Sequence, residues 1–222
     1  SETWSRQVSR SPFGASASLA RASNSTRPRQ GTPRPTRRLA LARRRGLATH
    51  LDGARLFNAA VAADGDPYAN ARAIAGHFDS VSVCFSKGLG APVGSALCGS
   101  RALIGRAHRA RKMLGGGMRQ AGGLAAASRC PLDHQVRRRA EDHAQARRLA
   151  DGLRDLPGVT VQVPQTNIVF VDLAPDKASG VVERLRQAGV LCTGLYRLRF
   201  VTHLDVDADD IERAIDILRR TL

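Results

Sequence analysis

The chain has 222 residues, 42% of them hydrophobic, enough for one sizeable core or a core plus a small lobe. Its formal charge of +16 invites a nucleic-acid reading, but residues 1–45 carry eleven arginines against one acid, Glu2, while residues 46–222 carry 24 Lys or Arg against 18 acids. Most of the charge thus belongs to a leader that is short of aromatics for stacking on bases. No run of about 18 apolar residues and no secretion signal is visible, so neither a spanning helix nor an exported chain is expected.

Residues 1–35 are rich in Ser, Arg and Pro and lack apolar periodicity. Such a segment cannot bury enough surface to offset its ordering entropy, so it is expected to be a disordered basic leader. From residue 36 the character changes, and RRLALARRRG (37–46) reads as a helix end with Gly46 as its stop. LATHLD (47–52) reads as a short strand and GARLFNAAVA as a helix. FDSVSVCF (78–85) is a β-branched strand, SKGLGAPVG a glycine-rich turn, and SALCGS a further strand. RALIGRAHRARKML (101–114) reads as an amphipathic helix ending at three glycines, and a second helix covers roughly 118–128. Pro131 is expected to open a long charged helix reaching about Leu156. Strands at VTVQV and NIVFVDL follow, then a helix over 178–188, strands over 190–193 and 198–202, and a helix over 208–220. The order predicts a parallel α/β region over 36–135 and a compact α+β lobe over 136–222.

Four cysteines, Cys84, Cys98, Cys130 and Cys192, are widely spaced and show no metal-ligand spacing. They read as reduced, mostly buried thiols of a cytosolic protein, with no metal implied.

Only three lysines exist, Lys87, Lys112 and Lys177, so any amine chemistry has three candidates. Lys87 follows an apolar strand and precedes a glycine-rich turn, at a strand's carboxyl end, where ligands bind in open α/β sheets. Partial burial there would keep its amine neutral part of the time, as an imine-forming lysine requires; the alternative is an exposed loop lysine. Asp52 ends the LATHLD strand and could pair with a protonated ring nitrogen, or could cap the following helix. Arg55, three residues on, can face the same cleft. Lys112 and Arg119 read as solvated charge.

HLDGARLFNAA (50–60), DSVSVCFSKGLGAPVGSALCGS (79–100), RKMLGGGMRQAGGLAAA (111–127) and RLRFVTHLDV (197–206), in this order, resemble the low-specificity threonine aldolases. The resemblance covers the chain from about residue 36 to its end. It implies the fold of the pyridoxal-phosphate transferases of the aspartate-aminotransferase-like group: residues 36–135 as the C-terminal part of the cofactor-binding large domain, and 136–222 as the small C-terminal α+β domain. It implies pyridoxal 5'-phosphate as cofactor and L-threonine or L-allo-threonine as substrate, cleaved to glycine and acetaldehyde by retro-aldol chemistry. It further implies a cytoplasmic homo-oligomer, dimer or tetramer. Carried over by position, Lys87 is the Schiff-base lysine, Asp52 the partner of the pyridine nitrogen, and Arg55 a neighbour of the phenolic oxygen and the substrate carboxylate. Arg199 matches the arginine that clamps that carboxylate, and Lys112 and Arg119 match basic residues near the active site.

The family is longer at its N-terminus, where it places the phosphate-binding loop and the histidine stacked on the cofactor ring. QGTPRP (30–35) faintly echoes the family's segment before HLDGAR. Residues 1–30 match nothing in it and read as a shifted frame or misplaced start. None of His50, His108 and His203 matches the ring-stacking histidine, and His203 reads as a packing or hydrogen-bonding residue. Competing functions are a β-eliminating amino-acid lyase of the same fold, a catalytically impaired fragment, and, least favoured, a basic nucleic-acid binder.

Overall fold

A computed structural model describes residues 37–194 and 197–222, so the leader expected over 1–35 lies outside the described residues. The chain divides into two compact units between Gln135 and Val136.

In the first unit, helix α1 (Arg37–Arg44) buries Leu39 and Ala42, and the chain reverses at Gly46. Strand β1 (His50–Gly53) leads into helices α2 (Leu56–Val61) and α3 (Pro67–Ala75). Helix α3 was not expected from periodicity. Its start is nonetheless written in the sequence: Asp66 caps it by accepting from Ala69 N, and Pro67 occupies the first turn, where its missing N–H costs nothing. Strand β2 (Ser80–Cys84) pairs in parallel with β1, and β3 (Ser95–Gly99) pairs with β2 antiparallel. The sheet is therefore mixed, with order β1-β2-β3, and not parallel throughout as the strand–helix rhythm predicts. The SKGLGAPVG segment is too short for a crossover helix, so the chain turns back on itself.

Two features fix the parallel pair. Thr49 gives both its backbone N–H and its hydroxyl to Asp79 Oδ2, at 2.6 and 2.9 Å, tying together the starts of β1 and β2. At the other end, a Cβ on Gly53 would lie 2.7 Å from the Ser82 carbonyl, so only glycine lets the strands approach. Leu56, Ala60, Ala71, Val81 and Val83 form the core of this unit.

Helix α4 (Arg101–Met113) is capped by Ser100 and buries no residue fully. Helix α5 (Gly122–His134) contains Pro131, which contradicts the expectation that Pro131 opens the following helix. The proline forfeits only its own bond, and the helix ends three residues later, so the cost is confined to the last turn. Among the cysteines, Cys98 and Cys130 are exposed and Cys84 and Cys192 half-buried, all as free thiols. The expectation of mostly buried thiols fails because β3 and α5 turn those side chains outward.

In the second unit, helix α6 (Arg139–Leu153) precedes strands β4 (Val159–Val161) and β5 (Ile168–Leu173), helices α7 (Pro175–Ala178) and α8 (Val181–Gln187), strand β6 (Leu198–Val201) and helix α9 (Ala208–Thr221). The sheet is antiparallel, in order β4-β5-β6. The strand expected over 190–193 reduces to one isolated bridge between Thr193 and Arg199. Leu149, Leu153, Val169, Val171, Leu185, Phe200, Ile215 and Leu218 build the core. Helix α9 carries a capping box, with Asp207 and Asp210 satisfying each other's backbone N–H groups.

Candidate active site

The carboxyl edge of the β1–β2 pair is where this fold can gather chemistry. Asp52 stands opposite Ser82 and Gly53 opposite Val83 in the parallel register, and Lys87 lies three residues past the end of β2. A carboxylate and a primary amine therefore emerge from adjacent strands at the same edge of one sheet, the position that open α/β sheets use for ligands.

The loop bearing Lys87 is held by its backbone. Phe85 N donates to Gly94 O at 2.9 Å, Ala91 N to Phe85 O at 3.1 Å, and Gly90 N to Lys87 O at 2.8 Å. Gly90 adopts φ 76°, a conformation that glycine reaches without the cost of a Cβ. Leu89 and Ala91 are buried, so the loop is anchored by two apolar side chains while Lys87 is exposed. That differs from the partial burial expected for this amine: Lys87 precedes the anchored stretch and its side chain is left to solvent.

Asp52 is also exposed, and its Oδ1 accepts from Ala54 N at 3.1 Å. This is a turn two residues long and not the helix cap offered as an alternative; Arg55 itself occupies the cap position of α2, without a side-chain cap bond. Arg55 is half-buried and begins the helix that follows Asp52. Lys112 and Arg119 are both exposed in the first unit, Lys112 in the last turn of α4. The Lys112 side chain lies over Gly117, where a Cβ would approach its Nζ to 3.0 Å. Arg199 sits in β6 of the second unit, half-buried.

The histidines take minor places. His50 Nδ1 is 2.9 Å from Ser80 Oγ, His108 is exposed on α4, and His203 Nδ1 accepts from Asp205 N at 3.3 Å.

Sequence reasoning missed two groupings, both in the second unit. The first is a buried polar set at the start of α6: Arg139, Asp142 and His143 are 1%, 2% and 3% exposed. Arg138 takes both Asp142 oxygens, at 2.9 and 3.1 Å. Burial pushes His143 down to about 4 and Arg139 down to about 10, the Asp142 carboxylate opposing both shifts. Nothing in QVRRRAEDH signals this, since a charge-dense helix start ordinarily faces water. The second is Arg197, whose guanidinium lies 5.6 Å from the Phe170 ring centroid and 3.3 Å from Asp172 Oδ1. Here the signal was present: strict alternation in IVFVDL and in RLRF puts Phe170, Asp172, Arg197 and Arg199 on one face of the sheet.

The donor set suits an aromatic aldehyde with a basic ring nitrogen. A primary amine can condense with the aldehyde, and a carboxylate at the same sheet edge can hold the nitrogen protonated. A two-unit chain of this architecture falls in the class of fold that the pyridoxal-phosphate transferases share. The Leishmania major threonine aldolase superimposes with a TM-score of 0.63 at 20% identity, covering 82% of this chain and 54% of that one. A serine palmitoyltransferase from S. paucimobilis, solved with a bound pyridoxal phosphate–myriocin aldimine, gives a TM-score of 0.60 at 18% identity, covering 82% and 48%.

The β-eliminating lyase family model matches residues 33–176, and the chain belongs to that family. It is 44% identical over 169 residues to the low specificity L-threonine aldolase of Escherichia coli (strain K12), covering 76% of this chain and 49% of the relative. The chain spans about half the length of the curated relatives it matches.

Proposed function

We infer that the chain is the C-terminal part of a pyridoxal-phosphate-dependent aldehyde-lyase that cleaves L-threonine or L-allo-threonine to glycine and acetaldehyde. The observation that carries this reading is that Asp52 and Lys87 leave the same carboxyl edge of two adjacent parallel strands, in a chain 44% identical to a low specificity threonine aldolase. In this reading the first unit is the C-terminal part of the cofactor-binding domain and the second unit the small domain, in a cytoplasmic homo-oligomer.

Bound pyridoxal phosphate supplies an electron sink for the charge left on Cα when the Cα–Cβ bond breaks. Lys87 would hold the cofactor through its amine, and its Nζ would carry the proton delivered to Cα. Asp52 keeps the ring nitrogen protonated, since a nearby carboxylate favours the charged form of a base. The planar fork of Arg199 would take the substrate carboxylate through two parallel bonds. Arg55 lies beside Asp52 in sequence and serves the same edge. Lys112 and Arg119 add positive charge at the site.

Two experiments test the reading. Borohydride reduction of the full chain mixed with pyridoxal phosphate should link the cofactor to Lys87. Lys87→Ala should abolish the link and Lys177→Ala should leave it, whereas a reducible adduct persisting in the Lys87 variant sinks the assignment. Product analysis then separates the chemistries: glycine plus acetaldehyde from threonine supports the aldolase, and pyruvate plus ammonia from candidate amino acids supports the β-eliminating alternative. Turnover should be slight with the chain by itself and should rise when the N-terminal half of a relative is fused to it or added in trans.

A further inference from the structure

The outer face of the second unit's sheet carries an arrangement that bears on Arg199. Strand β5 sends Val169 and Val171 into the core, so Ile168, Phe170 and Asp172 stand on the opposite face. Strand β6 buries Leu198 and Phe200, which puts Arg199 on that same face, with Arg197 joining it by the two-residue period. In the antiparallel register Phe170 is the direct partner of Arg199, and such side chains begin roughly 4.5–5.5 Å apart. Asp172 is the diagonal neighbour, roughly 7–8 Å away and within reach of an arginine. Arg199 therefore has two attractive resting places beside it, an aromatic ring to stack on and a carboxylate to pair with.

Both are already taken. The Arg197 guanidinium lies over the Phe170 ring and pairs with Asp172. Among the described residues, no hydrogen bond or ion pair engages the Arg199 side chain. Its backbone is fixed: Arg199 N donates to Thr193 O at 2.8 Å and Thr193 N to Arg199 O at 3.3 Å.

We propose that Arg197 is a positioning residue that occupies Asp172 and Phe170 so that the Arg199 guanidinium stays available for a carboxylate ligand. This rests on the reading of Arg199 as the carboxylate clamp. Without Arg197, Arg199 would fold back onto Asp172, and an incoming carboxylate would have to displace it. The penalty equals the strength of one exposed ion pair, which sets its size at about two- to fivefold in affinity. The same logic predicts a rescue, because removing the Asp172 charge removes the competitor.

The test uses the full chain loaded with pyridoxal phosphate, glycine as the probe, and equilibrium binding followed by absorbance. Arg197→Ala should weaken glycine binding about two- to fivefold. Asp172→Asn in that background should restore it, and Arg197→Lys, which keeps a cation beside Asp172, should retain it. In parallel, the Arg199 Nε–H resonance should move in Arg197→Ala and return in the double variant, a readout independent of glycine. Unchanged binding and an unmoved resonance in Arg197→Ala overturn the proposal, as does a loss that Asp172→Asn fails to recover. If Arg199→Ala binds glycine as tightly as the parent chain, the carboxylate-clamp reading falls and takes this inference with it.

Discussion

Arg139 is the least comfortable residue in the second unit, and replacing it by leucine should stabilise the protein. It opens helix α6 at 1% exposure, and among the described residues its Nε, Nη1 and Nη2 have no hydrogen-bond partner. The nearest carboxylate, Asp142, is one turn on and already gives both oxygens to Arg138. Burial pushes the guanidinium well below its ordinary range, to about 10, with Asp142 opposing the shift and Arg138 adding to it. At 1.36 kcal/mol per pH unit this is about 3 kcal/mol against the charged form. Its sign follows from linkage: the unfolded chain holds the proton more tightly, so the penalty is present at every pH below about 10 and fades only as pH rises above that value. Leucine keeps the apolar contacts, is as good a helix former as arginine, and leaves no buried donor unmet. A gain of about 2–3 kcal/mol is expected, which for a unit of this size raises Tm by about 10–20 °C. Thermal unfolding followed by far-UV circular dichroism at neutral pH reads it directly, with Arg139→Lys as a control that should gain far less. A Tm for Arg139→Leu at or below that of the parent would show that the guanidinium has a partner, and the reasoning would fail.

Two further outcomes follow from the same geometry. His143 is held near 4 by burial, so the unfolded chain takes up the proton first; stability should fall as pH drops from about 6.5 towards 4, by about 3 kcal/mol at the low end. Urea titrations across that range check it, and His143→Gln should flatten this part of the profile. Arg199→Ala should raise KM for amino-acid substrates about 10–150-fold, the loss of a charge-assisted contact worth about 1.5–3 kcal/mol, while cofactor binding stays near the parent value. An unchanged KM with weakened cofactor binding would remove Arg199 from the substrate role.

Elements whose signal is local are legible in the sequence. Alternating apolar residues mark Ser80–Cys84 and Ile168–Leu173 as strands. Asp207 and Asp210 write the start of α9, and Ser100 writes that of α4. Lys87 could be placed at a strand end because a strand and a glycine-rich turn adjoin it. Features that depend on partners distant in the chain emerge from the packing of the folded protein. Whether β3 runs with or against β2 is set by a loop too short to cross over, and periodicity carries no direction. Whether Asp52 caps a helix or closes a turn depended on where α2 begins, and that is Arg55's position. The arginines of QVRRRAEDH look alike in sequence, yet Arg139 is buried and Arg137 exposed, because one side of α6 faces a sheet built from residues up to sixty positions away. The pairing of Asp172 with Arg197, and the freedom it leaves to Arg199, arises from strand register. Register is a relation between two segments, and neither segment contains it.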